Sequence, residues 1–154
     1  MSTLPERVSA FINAQGHVTA IDIRNDKATA VRYRSRGLAF TAWTMNDDDT
    51  YLQLSCAMTL LPDVAFDAPL LRTLWECQEH FKCVKFSLEH EDALFVCSVE
   101  SFFVDPDGYQ PTFWRSVGAI ESAVKEAMTH IWAKHSAKAA ADKFIEEFSQ
   151  GNSQ

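Results

Sequence analysis

Two apolar runs separated by an acidic turn constrain this chain more than any other feature. LAFTAWTM occupies residues 38–45 and TYLQLSCAMTL residues 50–60, with NDDD between them. Side chains on a strand alternate between faces, so a period of two identifies strands, and Asn and Asp favour turns. The stretches 37–46 and 50–60 therefore read as a hairpin. Leu38, Phe40 and Ala42 share one face of the first strand, while Ala39, Trp43 and Met45 share the other. The second strand is one-sided: Leu52, Leu54, Cys56 and Met58 stand against Tyr51, Gln53 and Ser55. A three-residue loop at Asp47–Asp49 would pair 46 with 50 and set Leu38, Phe40 and Ala42 opposite Met58, Cys56 and Leu54. Trp43, Met45 and Tyr51 are then left together on the face away from the core. A loop one residue longer reverses the faces and exposes Phe40 instead.

The flanking segments complete an α+β plan. Residues 4–15 place Leu4, Val8, Phe11 and Ile12 on one helical face, with Pro5 near the start and Gly16 just past the end. Thr29, Val31 and Tyr33 alternate with Ala30, Arg32 and Arg34; residues 18–24 are a further short strand or an extended lead-in. Pro62 stops the strand that ends near residue 60. Asp67 is a suitable N-cap, Pro69 fits a first helical turn, and Leu70, Leu74, Cys77 and Phe81 recur at helical spacing to about residue 82. CVKFSLE and ALFVCSVESFF make a second hairpin around a turn at His90–Asp92. After the turn-rich DPDGYQP, a helix from about Thr112 carries Phe113, Val117, Ile120, Val124, Met128, Ile131 and Trp132. Its stripe weakens at Lys134–Lys138 and resumes at Phe144, Ile145 and Phe148. The expected order is α-β-β-β-α-β-β-α with a largely antiparallel sheet. Residues 1–150 are read as one domain and 151–154 as a frayed tail.

Charge and motifs exclude several functions. A net charge of −7 and a pI near 5.1 disfavour contact with nucleic-acid phosphates. No apolar run approaches the ~20 residues of a membrane span, and MSTLPERVSAF has no basic stretch leading into an apolar one. Four Cys without a secretory signal read as reduced thiols, so a cytoplasmic protein is expected. There is no G-x-S-x-G, no Walker loop and no G-x-G-x-x-G, and the five glycines stand singly. No catalytic residue and no cofactor site are assigned, and the chain is read as a non-enzyme.

Two residue sets compete as sites. Cys77, His80 and Cys83 form a C-x2-H-x2-C run, with Cys56 and Cys97 as further thiols. Structural zinc takes four ligands, usually in two matched pairs, and no second pair follows. Core packing is preferred, so no metal is assigned; a small redox or metal-binding protein using Cys77, His80 and Cys83 is the alternative. His90-Glu91-Asp92, Asp47–Asp49 and Asp105/Asp107 read as solvated turns, because adjacent turn residues do not converge on one point. Arg32, Arg34 and Arg36, spaced by two, would share one strand face. They are either a charged face that discourages edge pairing or a landing site for an acidic partner. With Trp43, Met45 and Tyr51 they make the candidate partner-binding set.

In its order of elements the chain resembles the YbjN-type family and, more distantly, the type III secretion chaperones of the CesT-like group. The resemblance runs over about residues 4–135. It rests on the helix ending at Gly16, on RGLAFTAWTM with its acidic turn, on LLRTLWECQEHF, on VKFSLEHEDALFVCSVE and on FWRSVGAIESAVKEAMTHIW. It implies a non-catalytic role. The secretion chaperones are small acidic cytosolic homodimers that hold an extended segment of a partner, and YbjN-type proteins are described as candidate sensory transduction regulators. The resemblance thus implies a protein-binding chaperone, adaptor or regulator, a homodimer, with a protein partner and with neither nucleic acid nor membrane. KAAADKFIEEF departs from the family pattern.

Overall fold

The computed structural model describes the backbone of residues 2–60, 67–89, 91 and 93–151, and their side chains except those of 140 and 143–151. Helix α1 spans Leu4–Ala14. Its start is fixed by the Thr3 backbone N–H, which donates to Glu6 Oε2 at 2.7 Å, and its end by Gly16, whose φ of 85° suits a residue without Cβ. Leu4, Val8 and Ile12 are fully buried. Helix α2, Ala68–Glu79, begins as expected, with Asp67 Oδ1 accepting from the Leu70 N–H at 3.0 Å. It stops at Glu79 rather than at about 82. The His80 and Phe81 N–H groups bond three residues back, to Cys77 and Gln78, which tightens and closes the last turn. The Gln78 side chain then accepts from the Phe86 N–H at 2.8 Å and ties the exit to the next strand.

Among the described residues there are six strands, β1 (Thr19–Ile23), β2 (Ala28–Ser35), β3 (Leu38–Met45), β4 (Asp48–Thr59), β5 (Lys85–Glu89) and β6 (Leu94–Phe102). They form one antiparallel sheet in the order β1-β2-β3-β4-β6-β5. The class is α+β as expected. The order gains a strand, because 19–23 pairs with β2 along its whole length and gives α-β-β-β-β-α-β-β-α.

The β3/β4 register is the one that puts Phe40 opposite Cys56 and Ala42 opposite Leu54. The turn itself differs. It lies at Asn46–Asp47, Met45 pairs with Asp48, and the register shifts between Thr44 and Met45. Local polar bonds explain this. Asp48 Oδ1 accepts from the Thr50 N–H and hydroxyl, at 2.8 and 2.5 Å, and the Asn46 N–H donates to the Lys27 carbonyl at 2.8 Å. The extra residues on β4 are absorbed as a bulge, and the body of the hairpin keeps its register.

Helix α3 is one element from Gln110 to Gly151, 42 residues long, so the tail continues the helix through the stretch where its apolar stripe weakens. Between Gly118 and Gly151 there is no Gly or Pro, and the stretch 133–143 is rich in Ala and Lys. Good helix formers propagate an existing helix without an apolar stripe. Phe113, Val117, Ile120, Val124 and Ile131 are buried, whereas the described side chains at 132–134 are exposed. Residues 61–66, including Pro62, His90 and Asp92 of the second hairpin turn, tail residues 152–154, and the side chains of Phe144, Ile145 and Phe148 lie outside the described residues.

All three helices pack on one face of the sheet. Val8 and Ile12 of α1, Leu70 and Leu74 of α2, and Phe113, Ile120 and Val124 of α3 join one core with Val31, Phe40, Leu54, Cys56, Phe95, Cys97 and Val99. The alternate residues of the same strands point the other way. Arg32, Arg34, Ala39, Ala57, Glu100 and Phe102 are exposed there.

Candidate protein-binding face

The face that carries no helix among the described residues is built around Trp43. It stands across from Ala30 on β2 and Gln53 on β4, and its indole Nε1–H donates to Ser55 Oγ at 3.2 Å. The Arg24 guanidinium lies 5.9 Å from the ring centre, within cation–π range. Asp22 Oδ2 holds both Arg24, at 3.2 Å, and Arg32, at 2.9 Å. One carboxylate on the edge strand therefore positions two cations over the sheet. Arg34, one pleat further on, is exposed and pairs with no carboxylate among the described residues. A shallow depression of about 590 Å³ lies beside Arg32 and Arg34, with Val18, Ala20, Ala39 and Thr41 among its walls.

Met45 lies opposite Ala28 on the same face, and both are half-buried. Tyr51 is also on this face, but its ring contact is with Phe102, centroids 5.1 Å apart, rather than with Trp43. Lys85 and Glu100 close this end with a 2.6 Å ion pair. Partial burial, with Glu100 nearby, raises the Tyr51 hydroxyl above its usual range. Trp43, Met45 and Tyr51 thus share a face as expected, in two sub-clusters rather than one patch. Phe102, 76% exposed, is the member that the sequence reading missed. The alternation of Phe95, Cys97 and Val99 against Val96, Ser98, Glu100 and Phe102 carried the signal.

Arg36 does not belong with Arg32 and Arg34. The strand ends at Ser35, and Arg36 enters the turn with φ 50° ahead of Gly37 at φ 84°. The reversal sends Arg36 to the helix side, where Nη1 meets Glu121 Oε2 of α3 at 2.9 Å. Glu121 is only 7% exposed and also accepts from Lys125 Nζ at 2.6 Å. Lys125 first, then Arg36, hold its carboxyl below the usual range.

The thiols divide in two. Cys56 and Cys97 are register partners inside the core, where burial pushes Cys56 up to about 11 and raises Cys97 as well. Such thiols are poor nucleophiles. Cys77 is buried and Cys83 is exposed in the segment after α2. Cys77, His80 and Cys83 do not converge on a common point. His80 instead meets Glu126 Oε1 of α3, 2.6 Å from its Nδ1. Among the described residues, no helix is long and apolar enough to cross a membrane.

No family model matches the chain, and no curated protein matches it. Two solved structures do. An uncharacterized protein from Methanothermobacter thermautotrophicus superposes with a TM-score of 0.62 at 16% identity, over 85% of this chain and 98% of that one. YbjN from E. coli, described as a candidate transcription regulator, superposes with a TM-score of 0.58 at 16% identity, over 80% of this chain and 90% of that one. At such identity the likeness is one of fold, and at that level the resemblance to the YbjN-type proteins holds.

Proposed function

We propose that the chain is a non-catalytic protein-binding module that acts as a chaperone, adaptor or regulator and works as a homodimer. The observation that carries this reading is the sheet face that carries no helix among the described residues: Trp43, Met45, Tyr51 and Phe102 lie on it, and so, toward the other end of β2 and opposite Ala39, does Arg34, a cation without a carboxylate partner among the described residues. Aromatic and methionine side chains bury much area at modest entropic cost and adapt to irregular shapes, and an unpaired guanidinium selects for a carboxylate on the partner. The YbjN-like fold is compatible with such a role. The rival reading, a redox or metal protein built on Cys77, His80 and Cys83, lacks a convergent ligand set. The test is affinity capture from the native cell with the wild-type chain and with a Trp43→Ala/Phe102→Ser double variant of verified fold, alongside light scattering. A specific protein retained by the wild type and lost by the variant, with a mass near twice 17.4 kDa, is the expected result. Equal capture by both chains removes the face from the proposal, and a monomeric mass removes the dimer.

A further inference from the structure

We propose a divalent-metal site of the zinc class on the helix side of the molecule, in the seam between α2 and α3, with Cys77, Glu126 and His130 as ligands. The three side chains come from two helices that share the face opposite the aromatic patch, so the site stands independently of the protein-binding reading. Cys77 Sγ, a Glu126 carboxylate oxygen and a His130 ring nitrogen all lie within 4.8 Å of one another. Ligands bound tetrahedrally at zinc distances of about 2.0–2.3 Å stand roughly 3.3–3.8 Å apart, so small rotamer changes close the set. Glu126 and His130 are four residues apart, which places them on one face of α3. Cys77 faces them from α2, and the contact of Lys134 Nζ with Thr73 Oγ1 one turn further on shows that the helices run past each other there.

The surroundings suit a bound cation. His80 Nδ1 lies 2.6 Å from Glu126 Oε1, and a carboxylate held at one oxygen still has a second to offer a metal; this pairing positions a ligand from outside the metal's own shell. One thiolate, one imidazole and one carboxylate favour zinc and its cobalt surrogate over magnesium or calcium, which take all-oxygen shells. Three protein ligands leave a fourth position, and the exposure of His130 opens it to solvent. The bound ion would pin α2 to α3, with the Cys77 proton released to solvent on binding.

Cobalt(II) alone is the probe, added to reduced, metal-stripped full-length chain. The expected result is saturation at one ion per chain, with a near-ultraviolet thiolate-to-cobalt band that zinc abolishes. Cys77→Ser should lose the band, His130→Ala should weaken binding by tenfold or more, and His80→Ala should weaken it by about 10–100-fold, as removal of a positioning residue does. Cys83→Ser should change nothing. Zinc should raise the melting temperature of the wild type and not that of His130→Ala. His130 is exposed, so its variant keeps the test valid even if Cys77→Ser folds poorly. Absence of a saturable band, its persistence in His130→Ala at wild-type affinity, or its loss in Cys83→Ser overturns the proposal.

Discussion

The two faces of the sheet are made from the same six strands and differ in what covers them. On the helix side, Phe40, Leu54, Phe95 and Cys97 are 2% exposed or less. On the other side, large side chains are only half-covered, and small ones such as Ala30, Ser55 and Ser98 are buried in the shadow of their neighbours. Trp43 and Phe40 sit three residues apart on one strand, both aromatic, yet only Phe40 has a helical layer over it. Hydrophobicity along a strand therefore does not identify the core; alternation and the position of the helices do.

The largest effect expected from this contrast lies on the covered face. Phe95 is fully buried and packs edge-on against Phe86, with ring centres 5.2 Å apart. Phe95→Ala should cost about 3–5 kcal/mol in urea unfolding, the usual loss for a buried aromatic that leaves a cavity. A loss below about 1 kcal/mol would mean that the helix side is not the packed side.

Next comes Trp43→Ala. The ring is half-buried and gives up one hydrogen bond to Ser55 and one guanidinium contact, so about 1–2 kcal/mol is expected, less than for a core aromatic. A fall as large as that of Phe95→Ala would show that the open face is covered by something that packs as tightly as the helices do.

Much of this contrast is legible in the amino-acid sequence. The Asp67 cap and the Gly16 stop follow from residue chemistry over short distances, and strand alternation alone sends Trp43 and Phe40 to opposite faces. Which of the two is covered depends on the β3/β4 register, which the sequence leaves open between two loop lengths and which the bulge at Thr44/Met45 and the packing of the helices decide. β1 is ambiguous in sequence because TAIDI is short and interrupted by Asp22, and its pairing is settled by β2 rather than by its own pattern. The unbroken α3 is hidden because its middle lacks the apolar stripe by which a helix is usually recognised. Ala and Lys at 133–143 sustain helix without one. Extending a period of two one residue beyond the strand misplaces Arg36. The Cys77 and His80 pair is visible in sequence, but its complement, Glu126 and His130, lies some 46–53 residues downstream. Only the packing of α2 against α3 brings the two halves together, and spacing within one chain does not encode that packing.

A subtler contrast concerns charge. Arg32 and Asp22 pair at the exposed face, whereas Arg36 and Lys125 meet a shielded Glu121. The Glu121 carboxyl titrates below its ordinary value of 4.5 in the folded chain. A depressed folded value contributes stability that is fully present above the unfolded value and is lost as pH falls through the folded one. Unfolding midpoints taken from pH 6 to pH 3 should therefore fall less steeply in Glu121→Gln than in the wild type. Identical slopes would show that the Arg36–Glu121–Lys125 cluster is as solvated as the Asp22 pair.

The smallest stability effect is expected where the open face is most open. Phe102 ends β6, is 76% exposed, and touches Tyr51 with its ring at a tilted 54°. Phe102→Ser keeps the β4/β6 ladder, because the backbone pairing of Tyr51 with Phe102 does not depend on the side chain. It removes one exposed ring contact, and exposed substitutions of this kind stay within about 0.5 kcal/mol. The melting temperature should hardly move. Partner capture or dimerisation should fall, because an aromatic side chain left at the surface beside Tyr51 gains its burial only from another molecule. The two readouts separate the possibilities. A marked drop in stability with binding intact would place Phe102 under an intramolecular cover and return this face to the structural side of the comparison. Unchanged stability with lost binding would set it apart from the helix-covered face as a surface kept apolar for contact.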